Sequence, residues 1–222
     1  MIDAASVGSR LEEVRARIGA AGGCAERVKV VAVTKGLGGD VVEAAVGAGL
    51  TDLGESYAQE LLAKSATETG AGVRWHFVGR VQRNKVARLA NLVHLWHSVD
   101  RVAAASEIAR RAPGAAVLVQ VNATGEGQKS GCRPDEVPGL VEELRAQGLD
   151  VRGLMAIGPQ GDPEGARSGF RLVSRLADDL ALAERSMGMS DDLEVAVQEG
   201  ATLVRVGRAL FGPRPARAQV RR

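Results

Sequence analysis

Apolar positions along the chain follow two different spacings. In the first stretch, Asp3 to Ile18, they recur at helical intervals, which predicts an amphipathic helix. After it, short runs of β-branched residues alternate with helical patterns. The predicted strands are Val28–Val33, Thr51–Gly54, Arg74–Val78, Val93–Ser98, Ala115–Asn122, Val151–Ile157, Arg185–Met189 and Thr202–Val206. The predicted helices between them are Val41–Ala48, Ser56–Ser65, Gln82–Ala90, Arg101–Arg111, Pro134–Gln147, Pro163–Ala183 and Asp191–Glu199.

Strands that alternate with helices predict right-handed βαβ units and a parallel sheet. Eight predicted strands in a chain of 222 residues, with no long linker, indicate an α/β protein with one TIM-type (β/α)8 barrel and an extra N-terminal helix. We expect this domain to cover residues 1–212 and the basic tail, 213–222, to be disordered. The alternative is an open doubly wound sheet, but "GLGGD" lacks the spacing of a dinucleotide-binding turn.

Composition and charge narrow the class of protein. Hydrophobic residues make up 45% and charged residues 25% of the chain, with a net charge of +2, which is typical of soluble globular proteins. Basic residues are interspersed with acidic ones, so we expect no nucleic-acid partner. The sequence has no apolar run long enough for a membrane span and no secretory signal pattern, which predicts a cytoplasmic protein. Cys24 and Cys132 lack metal-ligand spacing and are interpreted as structural thiols.

Lys35 comes at the end of the first predicted strand. Residues that follow barrel strands form the active site of this fold. A lysine amine that is desolvated there loses pKa and becomes a nucleophile for carbonyl groups, as a Schiff base requires. The alternative for Lys35 is a surface lysine whose stem lies along apolar residues.

The last two strands end in segments that could bind an anion. In "GMSDD", Ser190 stands in an N-cap-like position, and in "VRVGRALFG", Gly207 lets the backbone approach a ligand. Ordinary helix capping and a tight turn would also explain both segments. Arg205 shares the inner face with Leu203 and Gly207 by strand alternation. A ligand with a ring nitrogen and a phosphate would suit Lys35, Arg205 and these loops, and pyridoxal 5′-phosphate (PLP) has both groups.

Six segments carry a resemblance to a known family. They are "AVTK", "WHFVGRVQRNK", "VQVNATGEGQKSG", "GLMAI", "GMSDD" and "VRVGRALFG". In this order, between Val28 and Gly212, the chain resembles the pyridoxal-phosphate homeostasis proteins, which are small relatives of the alanine racemase barrel. The resemblance implies a PLP barrel of fold type III without the second β domain of the racemases.

The resemblance also implies roles for single residues. Lys35 matches the lysine that forms the Schiff base with PLP, and Arg205 matches the arginine that faces the pyridine nitrogen. An always-charged donor there disfavours protonation of the ring nitrogen, and an unprotonated ring is a poorer electron sink.

Further family positions imply the phosphate contacts. Ser190 and Met189 match residues on the phosphate side, and Gly207 and Arg208 match positions that offer backbone N–H groups to the phosphate. The chain departs from the family at Ser56, which stands where the family has an asparagine, so its implied contact to the cofactor is weaker or passes through water.

Histidines and tryptophans do not suggest a metal site. His94 and His97 are three residues apart on a predicted strand and point to opposite faces. We expect His76 to lie in the barrel interior with hydrogen bonds, and Trp75 and Trp96 to pack between barrel and helices.

Three functions are compatible with these features. The first is a non-catalytic protein that carries, buffers or delivers PLP, as a monomer or weak dimer, with apo-PLP enzymes as recipients. The second is a PLP-dependent racemase or decarboxylase. A racemase needs a second acid/base, in that family a tyrosine from an additional β domain, whereas Tyr57 is the sole tyrosine here and we expect no such domain. The third is an interaction module, which only the basic tail favours.

Overall fold

A computed structural model describes residues 2–24, 26–124 and 130–213 of the chain. Residues 214–222 of the basic tail and residues 125–129 of the segment "VQVNATGEGQKSG" lie outside the described residues.

Eight parallel strands close into a barrel in chain order, and this confirms the predicted fold class. Each strand pairs with the next one along the chain, and β8 returns to β1. The strands are β1 (Lys29–Val33), β2 (Asp52–Glu55), β3 (Arg74–Phe77), β4 (Val93–Val99), β5 (Ala116–Gln120), β6 (Asp150–Met155), β7 (Glu184–Ser186) and β8 (Leu203–Val206).

Helices surround the barrel and connect successive strands. They are α1 (Ala4–Ala20), α2 (Asp40–Gly47), α3 (Ala58–Ser65), α4 (Glu68–Ala71), α5 (Arg83–Leu89), α6 (Val102–Arg111), α7 (Val137–Ala146), α8 (Arg167–Asp179), α9 (Leu193–Gln198) and α10 (Arg208–Phe211). Short 3-10 segments precede α7 and α8.

Helix α1 completes the outer ring. Asp3 caps its N-terminus by accepting a hydrogen bond from the Ser6 N–H, and its apolar stripe, Val7, Leu11 and Val14, is buried. The helix contacts α2, α9 and α10. Because α10 has only four residues, α1 supplies the helical cover next to β8 and β1 that a longer helix after β8 would give.

Two apolar clusters lie on opposite faces of the strands. The larger cluster packs between the barrel and the helices and includes Trp75 and Trp96, as predicted. The inner cluster is small and consists of Val31, Leu95, Ala116, Leu118, Met155 and Leu203. Buried polar side chains fill much of the remaining interior, among them His76, as predicted.

Several predicted boundaries are wrong, most clearly around the seventh strand. β7 ends at Ser186 rather than Met189, because the backbone turns at Gly188, whose φ is +86°. Gly153 of β6 allows β7 to pair closely, since a Cβ there would lie 1.8 Å from the Glu184 carbonyl oxygen. The helix predicted to reach Ala183 ends at Asp179, because Ala181 adopts a positive φ of 50°.

Candidate functional site

A cavity of about 610 Å³ lies at the carboxyl ends of β1, β7 and β8. Its volume falls within the roughly 300–1,000 Å³ of small-ligand pockets. Its lining includes every residue of the predicted site except Ser56, namely Lys35, Met189, Ser190, Arg205, Gly207 and Arg208. The barrel thus brings together residues that are far apart in the sequence.

Hydrogen bonds fix the residues before and after Lys35. The preceding residue, Thr34, is fully buried, and its hydroxyl donates to Glu55 Oε1 at 2.7 Å. The following residue, Gly36, donates its N–H to Glu60 Oε2 at 2.6 Å. These bonds fix the turn that carries Lys35, which is itself partly exposed and lines the cavity.

A buried ion pair stabilises this turn from behind. Lys64 Nζ donates to Glu55 Oε1 at 2.6 Å and to the Thr34 carbonyl oxygen at 2.8 Å. Burial raises the pKa of Glu55, although the adjacent Lys64 opposes this change. Sequence reasoning missed this pair. The signal that could have revealed it is Glu55, which ends the buried strand segment "DLGE". A charge that is buried in a barrel strand needs a partner.

Arg205 lies inside the barrel, on the inner face where strand alternation predicts it. Its Nη1 donates to the carbonyl oxygen and to Oγ of Ser186, each at 2.7 Å, and its Nη2 donates to the Ala156 carbonyl oxygen at 2.9 Å. Burial lowers the pKa of the guanidinium to about 10, so it remains charged at neutral pH. Three of the five guanidinium donors are used by these bonds, and the side chain also lines the cavity.

The loop after β7 differs from the prediction. Ser190 is not the N-cap of the following helix, because α9 begins at Leu193 and Asp192 occupies the N-cap position. Asp192 also accepts the Met189 N–H at 2.6 Å, so this group is already paired. Ser190 instead connects the loop after β7 to α10, since its Oγ accepts the Ala209 N–H at 3.2 Å.

The short helix α10 places further groups at the same end of the cavity. Gly207 is its N-cap residue, and the first N–H groups of a helix have no partner within the helix. A Cβ at Gly207 would lie 3.0 Å from the Val33 carbonyl oxygen, so the glycine allows β8 and β1 to approach closely. The Arg208 side chain forms an exposed ion pair with Asp191 across the edge of the cavity.

Ser56 lies elsewhere. It lines a second cavity of about 380 Å³ together with Tyr57, Arg80 and Lys85, between α3 and α5. The structure therefore does not bring Ser56 into the cavity of Lys35.

Cysteines and possible metal ligands do not form a site in the described part of the chain. Cys132 is buried, and burial raises the pKa of its thiol to about 12, which keeps it protonated. Over residues 2–24, 26–124 and 130–213 there is no group of three or more histidine, cysteine, aspartate or glutamate side chains that could hold a metal ion. Within the same ranges, no helix has both the length and the apolar composition to cross a membrane.

The closed parallel barrel places the protein in the class of the alanine racemase N-terminal domain. The family model of the alanine racemase N-terminal domain matches residues 2–215. An alanine racemase from Clostridium difficile has this fold with a TM-score of 0.71 at 16% identity, and the match covers 94% of our chain and 58% of the racemase.

Two relatives define the family within this class. A pyridoxal phosphate homeostasis protein of Deinococcus radiodurans is 46% identical over 211 residues, which cover 93% of our chain and 99% of that protein. The structure of PipY from Synechococcus elongatus, with PLP bound, has a TM-score of 0.78 and 30% identity, with coverage of 93% of our chain and 100% of PipY. The chain belongs to the family of pyridoxal phosphate homeostasis proteins, and this confirms the resemblance seen in the sequence.

Proposed function

We propose that this protein binds PLP in the cavity between β1, β7 and β8 and carries it without turning over a substrate. The observation that supports this most is the arrangement of Lys35, Arg205 and Ser190 around one cavity of about 610 Å³. These groups come from both ends of the chain, and ordinary packing would not need a lysine amine, a buried guanidinium and a serine hydroxyl at one opening.

The donors around the cavity fit the chemical groups of PLP. The Lys35 amine can form a Schiff base with the aldehyde. The buried Arg205 guanidinium offers N–H donors to the ring nitrogen, which is an acceptor when unprotonated. Ser190, Gly207 and Arg208 lie at the phosphate end, where a hydroxyl, backbone N–H groups and a cation suit an anion. Met189 lines the same end, but its N–H is already bonded to Asp192. Ser56 is not needed for this fit, and its place in the second cavity argues against a direct contact.

Arg205 would limit the chemistry of the cofactor. Bound PLP supplies an electron sink for carbanions, and the sink is strongest when the ring nitrogen is protonated. Arg205 remains charged with a pKa of about 10 and only donates hydrogen bonds. A second positive charge on the adjacent ring nitrogen is therefore unfavourable, and the protein favours holding the cofactor over using it.

The described residues of the cavity offer no obvious second acid/base for a racemase. Tyr57, the one tyrosine of the chain, lines the other cavity and is 44% exposed. Among the carboxylates at the cavity edge, Asp191 pairs with Arg208 and Asp192 accepts the Met189 N–H. These contacts argue against racemase or decarboxylase activity, the alternative that the sequence leaves open.

Delivery of the cofactor is the finer part of the proposal. The names of the curated relatives refer to homeostasis of pyridoxal phosphate. A cavity that opens to solvent at the barrel mouth would allow PLP to leave for an apo-PLP enzyme. We further propose that the protein acts as a monomer or weak dimer, with one domain over residues 1–212.

The direct experiment is a spectroscopic titration with PLP. We expect an imine absorbance that borohydride fixes onto Lys35, as mass spectrometry of the peptide would show. Lys35→Ala should lose this absorbance, whereas Lys29→Ala, at the exposed start of the same strand, should retain it. A protein that gains no absorbance from PLP would contradict the proposal. Activation of an apo-enzyme by the loaded protein then tests delivery, and sustained racemisation of alanine that depends on Lys35 would favour the enzyme instead.

A further inference from the structure

The inside of the barrel contains an unusual number of polar groups. Bulky branched apolar residues dominate this space in TIM barrels. Here Asp52, His76, His97, Ser186 and Arg205 are all at most 6% exposed. Buried polar groups require partners, so their arrangement needs an explanation.

These side chains are connected in a single file. His76 Nε2 lies 2.9 Å from Asp52 Oδ1, and His76 Nδ1 lies 2.8 Å from His97 Nε2. His97 Nδ1 lies 2.9 Å from Ser186 Oγ, which accepts a hydrogen bond from Arg205 Nη1 at 2.7 Å. The row therefore runs from Asp52, at the start of β2, to Arg205 at the cavity.

One direction of the hydrogen bonds suits both ends of the row. Arginine only donates, so Ser186 Oγ accepts from Arg205 and its hydroxyl proton is available for His97 Nδ1. When Ser186 donates that proton, His97 carries its own proton on Nε2. Seen from the other end, an ionised Asp52 only accepts, so His76 donates to it from Nε2. A His76 with one ring proton then accepts from His97 through Nδ1. The two requirements agree, and each bond then has one donor and one acceptor.

We propose that Asp52, His76, His97 and Ser186 form a directed hydrogen-bond chain that positions Arg205 and carries the influence of a carboxylate to its guanidinium. Arg205 is buried, and its hydrogen bonds within the described residues go to two carbonyl oxygens and the Ser186 hydroxyl rather than to a carboxylate. Burial lowers its pKa, and the charge of Asp192 opposes this change from nearby without a hydrogen bond. Aligned bonds in a low-dielectric interior polarise one another, so the charge of Asp52 stabilises the guanidinium across the barrel. His97 and Ser186 are positioning residues for the donor that would face the cofactor ring.

Electrostatics at two positions support this direction. Burial raises the pKa of Asp52, but hydrogen bonds from His76 and Arg74 outweigh burial and hold the pKa below its ordinary value. Arg74 donates to this carboxylate through Nε at 2.9 Å and Nη2 at 2.6 Å. Burial, with a contribution from the positive charge of Arg205, holds the pKa of His97 well below its ordinary value. An ionised acceptor at one end and a neutral imidazole in the middle are what the chain requires.

The direction of the chain can be measured on the protein without PLP. Two-bond proton–nitrogen correlation spectra of the histidine side chains should show the ring protons of His76 and His97 on Nε2, with Nδ1 of both rings as an acceptor. Spectra of His76→Gln and His97→Gln would assign the signals, with the exposed His94 as an internal reference. A proton on Nδ1 of either buried histidine would overturn the proposal.

The effect on Arg205 rests on the proposed function and needs the loaded protein. His97→Leu interrupts the hydrogen-bond chain. We expect PLP affinity to fall about ten-fold, which corresponds to the loss of one hydrogen bond to a charged group. The nitrogen-15 signal of labelled PLP should also titrate at a higher pH, because Arg205 no longer holds the ring nitrogen unprotonated. His97→Gln should behave as the parent, since an amide can accept from Ser186 and donate to His76.

The outcomes distinguish failure of the hydrogen-bond chain from failure of the proposed function. A His97→Leu protein whose ring-nitrogen titration equals that of the parent would overturn the positioning role. The positioning role would also be overturned if PLP affinity fell as much in His97→Gln as in His97→Leu. Hydrogen bonding by residue 97 would then not matter, and the histidine would only fill space. If His97→Leu fails to fold, Ser186→Ala provides the same comparison with a smaller change in volume. If the parent itself does not bind PLP, the proposed function fails while the tautomers still test the chain.

Discussion

At the edge of the cavity, Arg208 forms an ion pair with Asp191, and a bound phosphate would take the place of this carboxylate. Its guanidinium pairs with Asp191, and both side chains are well exposed, at 60% and 65%. Exposed ion pairs of this kind contribute about 0–1 kcal/mol. A phosphate therefore competes with a weak pair, but it must also approach the negative charge of Asp191.

Asp191→Asn should tighten PLP binding by about two- to five-fold, because the substitution frees Arg208 and removes the repulsion of the phosphate. The measurement is the PLP dissociation constant at low and high salt, and the gain should shrink at high salt. Asp135→Asn is a matched control, since Asp135 forms a similar exposed pair with Arg133 on the 3-10 segment before α7. Weaker binding by Asp191→Asn would indicate that the carboxylate organises the site.

Single residues also mark the limit of sequence reasoning. Lys35 and Arg205 could be placed at the cavity because strand ends and strand alternation follow from the apolar pattern. Contacts between distant residues, such as the bond between Lys64 and the Thr34 carbonyl oxygen, depend on how α3 packs against β1 and β2. No spacing within the chain encodes that packing, so the anchor of the Lys35 turn became visible only in the structure.

At the scale of elements, α1 connects the start of the chain to the end of the cavity where we propose that the phosphate binds. Arg17 of α1 donates through Nη2 to the Ser190 carbonyl oxygen at 2.9 Å and through Nε to Glu194 at 2.6 Å. Arg10 of the same helix donates to the Leu210 carbonyl oxygen of α10 at 3.2 Å. The helix thus contacts both segments that carry the groups proposed to bind the phosphate.

Arg17→Met should lower PLP affinity by about two- to ten-fold, since it removes hydrogen bonds worth roughly 0.5–1.5 kcal/mol from the Ser190 loop while keeping the apolar stem. Arg15→Met serves as the control, because Arg15 lies on the same helix and its ion pair is with Glu12 of that helix. Affinity and thermal stability are measured for both variants. Equal affinities for the two would show that the loop is rigid without α1.

Elements differ in how well the sequence predicts them. Strands with long apolar runs, such as β5, were predicted within a few residues, because each is buried on both sides by the barrel and the helices. β7 was predicted too long, since "RSMGM" has strand-like composition but Gly188 turns the backbone. The four-residue helix α10 was missed because it is too short to show helical spacing.

For the whole molecule, the shortest register of paired strand residues lies where the cavity is. β7 and β8 share one register pair, Ser186 with Leu203, whereas β5 and β6 share five. The groups proposed to bind PLP follow β1, β7 and β8, so the ligand would connect the strands on both sides of this short pairing. Ligand binding and barrel closure should therefore be coupled.

Amide hydrogen exchange can test this coupling. At free PLP 100 times above its dissociation constant, binding stabilises the bound form by about 2.7 kcal/mol, so exchange that requires opening of the site should slow by up to about one hundred-fold. We expect this protection in Glu184–Ser186, Leu203–Val206 and the loops after them, whereas Val93–Val99 in β4 should change little. Lys35→Ala should retain part of the effect through the proposed contacts of Ser190, Gly207 and Arg208 with the phosphate. Equal protection of β4 and β7 would instead mean that the barrel opens as one unit and that the short pairing of β7 with β8 is not a separate point of opening.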